Sequence, residues 1–191
     1  MNQLDKTKVY NVLCRRKLSL NSPKSWASFL IRIFSKSEID HVGFTYFKEE
    51  VKAWLQAEAT TGKAKILTLE EWHNHATNAK MEVWIQEDRM ATDRREQMIA
   101  YAEASNGKLK YDFFGLLWMA IYIKRKIWLG RKRNQDDRQF CSEFYFNAKG
   151  IEGAQYKTPK DVYLAGNEVI GKLIDVSLGK PFIVEHLRIP S

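Results

Sequence analysis

Several scarcities bound what this chain is. Its two cysteines, Cys14 and Cys141, are too few and too far apart for a disulfide framework, and neither belongs to a CxxC pair of the zinc or redox kind. Four prolines and ten glycines, with no Pro-, Gly- or Ser-rich linker and no internal repeat, exclude a collagen-like, solenoid or low-complexity protein. The opening residues MNQLDKTKVYNVLC lack the apolar h-region of a secretory signal, so the expectation is cytoplasmic synthesis without a signal peptide. Action at the cell envelope then requires a different export route. The longest apolar run, FFGLLWMAIYI at 113–123, has eleven residues, where a spanning helix needs about 20. It reads as a helix face that is buried or lies on a surface.

What is present is a folded chain of 191 residues with 45% hydrophobic and 13% aromatic side chains, read as one domain over 1–191. Lysine and arginine number 31 against 23 acids, giving +8 and pointing to an acidic partner. Six of those bases fall in 124–133, which contains no acid, leaving +2 for the other 181 residues. Trp128 stands between Lys124, Arg125, Lys126 and Arg131, Lys132, Arg133, an arrangement that suits phosphates or an anionic membrane surface. A solvated loop beside a core helix has the same composition. Charge confined to one segment argues against a general nucleic-acid binder. It favours an anionic substrate, or peripheral membrane contact through 113–133.

Periodicity assigns the elements. Residues 8–14 read as a strand, 25–34 as a short amphipathic helix, and 41–47 as a strand turning near 48–50 into another. In that second strand Val51, Ala53, Leu55 and Ala57 share one face, and Trp54, Gln56 and Glu58 the other. Strands are expected at 64–69 and 81–86, a helix capped by Thr92 and closed by Gly107, and a helix capped by Asp112. Phe140, Phe144 and Ala148 recur every fourth residue before Gly150, a short helix with Cys141 in its first turn. Thr158, Pro159 and Asp161 start another helix, and 169–177 and 182–189 end the chain as strands. Helices and strands alternate without strict βαβ order, so the fold class is α+β.

The chemistry centres on Cys141. A thiolate at a helix N-terminus is stabilised by the dipole and by backbone N–H groups, which makes it a candidate nucleophile. Cysteine is also a small hydrophobe that is commonly buried and inert, and position does not decide between the two. A thiolate nucleophile needs an imidazole to share its proton and a polar group to orient the ring. Of the four histidines, His41 begins a strand, has Gly43 two residues on, and pairs through a hairpin with the strand bearing Glu58. His73 and His75 sit in a helical context that points them apart, so no metal site is expected there. His186 lies in a terminal strand.

The order His41-Val42-Gly43-Phe44, Ala57-Glu58-Ala59, Tyr111-Asp112-Phe113, Phe140-Cys141-Ser142-Glu143 and Thr158-Pro159-Lys160-Asp161 resembles the YiiX and YebB-like family. That family is similar to the NlpC-type papain-like cysteine peptidases and amidases, circularly permuted so that histidine precedes cysteine. The resemblance implies a small antiparallel sheet packed by helices, with the nucleophile at a helix N-terminus. It also implies Cys141 as nucleophile, His41 as base, Glu58 as the third polar residue and Tyr111 as a site-lining or oxyanion group, with no metal or organic cofactor. The expected activity is hydrolysis of an amide, such as a peptidoglycan peptide. Two departures from the family, the missing signal peptide and the basic approach at 124–138, bear on substrate and compartment. The alternatives are a lipid-directed acyltransferase or amidase of the lecithin retinol acyltransferase-like type, and a non-catalytic binding module using 124–133.

Overall fold

The computed structural model describes residues 4–17, 23–60, 62–112, 115, 137–167, 169–175 and 180–182. The elements in chain order are β1 (Val9–Arg16), α1 (Pro23–Ser35), β2 (His41–Lys48), β3 (Ala53–Ala59), β4 (Ala64–Thr68), α2 (Leu69–Asn78) and β5 (Met81–Glu87). They continue with α3 (Arg89–Asp93), α4 (Arg95–Ser105), β6 (Lys110–Tyr111), β7 (Arg138–Gln139), α5 (Cys141–Ala148), α6 (Pro159–Ala165), β8 (Val169–Asp175) and β9 (Lys180–Phe182). Seven strands form one sheet in the order β4-β3-β2-β1-β5-β8-β9, every pairing antiparallel, and β6 and β7 form a separate parallel pair. The expected α+β class with an antiparallel sheet packed by helices is the architecture observed.

Strand alternation gives the sheet two covered faces. Val9 and Leu13 of β1, Val42, Phe44 and Tyr46 of β2, and Ala57 of β3 pack on one face against Met98, Ala102, Phe144, Tyr145 and Val162 from α4, α5 and α6. Tyr10, Val12 and Cys14 of β1 face the other way, where Leu69, Trp72 and Ala76 of α2 cover them together with Val83 and Ile85 of β5. Helix α2 is pinned at its start by a capping box: Thr68 accepts from Glu71 N while the Glu71 carboxylate accepts from Thr68 N. The same device, with Thr158 and Asp161, starts α6 behind Pro159.

Three expectations need correction. The second hairpin strand begins at Ala53 rather than Val51, because the turn closes with Lys52 N–H on Glu49 C=O and Lys52 in the left-handed region at φ 49°. Thr92 is not an N-cap. Asp88 holds that position, accepting from Ala91 N at 3.0 Å, and Thr92 lies within α3, where its hydroxyl bonds the backbone of Val9. The stretch expected as one helix is two, parted at Arg94, and α4 ends at Ser105, ahead of Gly107. Asp112 does accept from Gly115 N at 2.8 Å, the contact of a capping side chain. The remainder of that expected helix, the basic segment 124–133 and most of the expected strand 182–189 lie outside the described residues. Among the described residues, no helix is long and apolar enough to cross a membrane.

Candidate active site

His41 is the first residue of β2, directly opposite Cys14 of β1. Ahead of it, Asp40 is buried and accepts from Arg16 N and from the Arg32 guanidinium, which ties the end of α1 to the start of the strand. Two residues later comes Gly43, and the reason for glycine there is steric. A Cβ at this position would lie 2.7 Å from Ala57 O and 3.1 Å from Glu58 Cβ, and would collide with the Gln56 amide. Without a side chain, β3 closes tightly on β2. Alternation then puts Glu58, next after the core residue Ala57, on the α2 side of the sheet.

The result is a short contact: His41 Nε2 and Glu58 Oε2 are 2.6 Å apart, with side chains 16% and 8% exposed. Burial alone would favour a neutral ring, yet the Glu58 charge and the hydrogen bonds that the imidazolium donates to the Cys141 sulfur and to Glu58 together raise His41 well above the ordinary histidine value. Burial likewise pushes Glu58 up, and the His41 charge, the His41 hydrogen bond and a hydrogen bond from Trp72 bring it below the usual carboxylate range. Both shifts favour an imidazolium–carboxylate pair in which Nε2–H donates to Glu58. With Nε2 occupied, Nδ1 is the ring nitrogen left for the Cys141 thiol.

Cys141 reaches this ring from the other layer. It is the first residue of α5, whose N-cap Phe140 is extended and supplies no side-chain hydrogen bond to the first turn. The helix is set by Phe144 stacking on Phe44 at 6.0 Å between centroids, and by the Ser142 hydroxyl donating to Lys157 C=O at 2.8 Å. Its far end is anchored in the interior. Lys149 and Asp88, both about 1% exposed, form an ion pair, and Tyr145 OH bridges Asp88 Oδ2 to Asn11 Oδ1. The Cys141 residue is itself fully buried. Cys14, also free and buried, is raised well above the usual thiol value, chiefly by burial and then by the charges of Glu58 and Asp40.

Tyr111 of β6 pairs in register with Gln139 of β7, two residues before Cys141, and Gln139 is held by Tyr101 OH at 2.9 Å. Burial first, and then the charges of Cys141 and Glu58, raise the Tyr111 phenol well above its ordinary value, so it stays a neutral donor. The four residues singled out by sequence are thus brought into one neighbourhood. His73 and His75 are not: on α2 His73 Nε2 lies 3.2 Å from Leu173 O and His75 is exposed. His186 lies outside the described residues. Among the described residues, no group of three or more His, Cys, Asp and Glu side chains is placed to hold a metal ion.

Sequence reasoning missed Trp72 and Gln56. Trp72 occupies a buried position on an amphipathic helix and so reads as core; only its N–H marks it as also polar. Gln56 was placed on the face of Glu58, but nothing in the sequence indicated that its amide would be buried against Gly43. No family model matches the chain, nor does any curated protein. Among solved structures, it is similar to the metalloprotein yiiX from Escherichia coli O157:H7 (DUF1105), at 20% identity over 75% of this chain and 67% of that one, with a TM-score of 0.48.

Proposed function

We propose that the protein is a cysteine hydrolase of amide bonds, with Cys141 as nucleophile, His41 as proton carrier and Glu58 as the group that orients the ring. One observation carries this reading: a buried imidazole lies 2.6 Å from Glu58, and the Cys141 side chain is near enough to share in raising its proton affinity. Nucleophile, base and orienting group are the three parts that thiol acyl transfer requires. The thiol's proton rests on His41 Nδ1, so the Cys141 sulfur attacks the carbonyl carbon as the thiolate of an imidazolium–thiolate pair. The imidazolium returns the proton to the nitrogen as the C–N bond breaks and the amine leaves. Water, deprotonated by His41, then cleaves the thioester and restores the thiol.

Charge develops on the carbonyl oxygen during both steps. The backbone N–H of Cys141, at a helix start without a side-chain cap, is one donor to it, and the neutral Tyr111 phenol is a second. Donors of this type are worth about 3 to 4 kcal/mol of barrier where they have been removed by mutation. The substrate class is a peptide or related amide, cell-wall peptides included. The basic stretch 124–133, preceding Cys141 in sequence, favours an anionic one.

Iodoacetamide labelling followed by peptide mass spectrometry tests the assignment. Near pH 6, Cys141 is expected to alkylate much faster than Cys14, and His41→Ala to abolish the difference. Equal, slow labelling of both thiols would overturn it. A panel of anionic and neutral wall peptides and acyl lipids, assayed against wild type and Cys141→Ala, then identifies the bond.

A further inference from the structure

We propose that Trp72 is a positioning residue for the pair formed by His41 and Glu58, its indole N–H fixing the carboxylate so that one oxygen faces the imidazole. The inference rests on the hydrolase reading only in that the oriented pair serves Cys141. Its basis is the way the chain is threaded. Thr68 is at once the last residue of β4 and the N-cap of α2, and the capping box sets the helix start against β3, the neighbour of β4. Trp72 follows within the first turns, 2% exposed, in the layer that holds Val12 and Cys14, the cross-strand partners of Gly43 and His41. The indole N–H of this buried ring is one of the donors that bring the Glu58 carboxyl below the usual carboxylate range, beside the His41 contact at 2.6 Å.

The residue type suits the task. A carboxylate turns easily about its terminal torsion, so one hydrogen bond to His41 leaves its plane loosely defined. A second donor from a rigid, packed ring removes that freedom. Tryptophan is a donor only and does not titrate, so it holds Glu58 without offering a competing site for the proton that His41 carries. The other groups around the pair include Cys141 from α5, Cys14 from β1, Tyr111 from β6, Asp40 ahead of His41, and the exposed His75 from α2, whose charge also acts on Glu58.

The test is NMR of the indole and imidazole nitrogens in the full chain. In wild type, the Trp72 N–H resonance is expected to titrate with Glu58, and in Glu58→Ala to move upfield and lose that dependence. In Trp72→Phe, which keeps the ring and drops the donor, His41 is expected to lose roughly tenfold in proton affinity. The same substitution in a Glu58→Ala background is expected to change nothing further, whereas a merely structural tryptophan would perturb both backgrounds alike. An indole resonance indifferent to Glu58→Ala overturns the proposal, and that measurement needs no Trp72 variant to fold. Failure of selective Cys141 labelling overturns the hydrolase reading instead, so the two failures are distinguishable.

Discussion

Glu58→Gln is the substitution on which the electrostatics of this site make the sharpest statement. Glutamine keeps the shape and a carbonyl acceptor for His41 Nε2 but removes the charge. Burial, the largest influence on His41, then acts against the imidazolium with the Glu58 charge no longer opposing it, so the ring is expected to titrate at a lower pH than in wild type. Stability follows with a definite sign. His41 is raised on folding, so its contribution is complete below the unfolded value near 6.5 and is lost as pH climbs through the folded one. Glu58 is lowered, so its contribution is complete above about 4.5 and is lost as pH falls through the folded value. The pair therefore stabilises most between about pH 4.5 and 6.5. With both side chains largely buried, breaking it costs about 3 kcal/mol in that window, toward the low end of buried pairs because the hydrogen bond survives. For a chain of this length that is a fall in Tm of roughly 6–12 °C. Thermal and urea unfolding of both proteins at pH 5.5, 7 and 9 measures it. A penalty that is the same at all three pH values would refute the ion-pair account.

Two further substitutions probe how the site is held. Gly43→Ala puts a methyl group 2.7 Å from Ala57 O, so β3 must move away from β2 and take Glu58 with it. Hydrolysis is expected to fall at least tenfold while the circular dichroism spectrum stays native, and full activity would show that β3 can shift without disturbing the pair. Lys149→Met leaves Asp88 buried without its cation, and a loss of about 3–5 kcal/mol in urea unfolding is expected. Asp88→Asn with Lys149→Met in one chain is expected to recover most of that loss.

The strands and short helices were legible because their signals are local: alternation in 53–59, the Thr158-Pro159-Asp161 start, the fourfold spacing from Phe140 to Ala148. Thr92 misled for a physical reason. It is a good capping residue that here bonds across to Val9, while Asp88, four residues earlier, caps the helix and also meets Lys149. That second contact joins residues 61 positions apart and leaves no local trace. Among the site residues, His41 and Cys141 were marked by their positions at element starts. Glu58 was visible as an acid on the strand paired with that of His41. Trp72 was not, because a hydrogen bond from an otherwise apolar ring does not disturb the hydrophobic pattern of its helix.

The three side chains of the candidate site all stand at ends of elements: His41 opens β2, Glu58 is the penultimate residue of β3, and Cys141 opens α5. That placement lets groups from opposite faces of the sheet meet, since an interior strand residue would be walled off from the other layer by the sheet itself. It also makes α5 a strut with two different ends. From Cys141 to Lys149 the helix rises about 12 Å. At the far end Lys149 and Tyr145 meet Asp88 and Asn11 in the interior, with Arg94 donating to Lys149 C=O. An apolar contact at that end would tolerate rotation of the helix about its axis, whereas charged and hydrogen-bonded partners do not. A rotation of 20° about that axis moves a side chain some 6 Å out by about 2 Å, enough to part the sulfur from the imidazole. The buried ion pair and the contact proposed between Cys141 and His41 are in this sense one device, with the helix rotation fixed at Lys149 and used at Cys141.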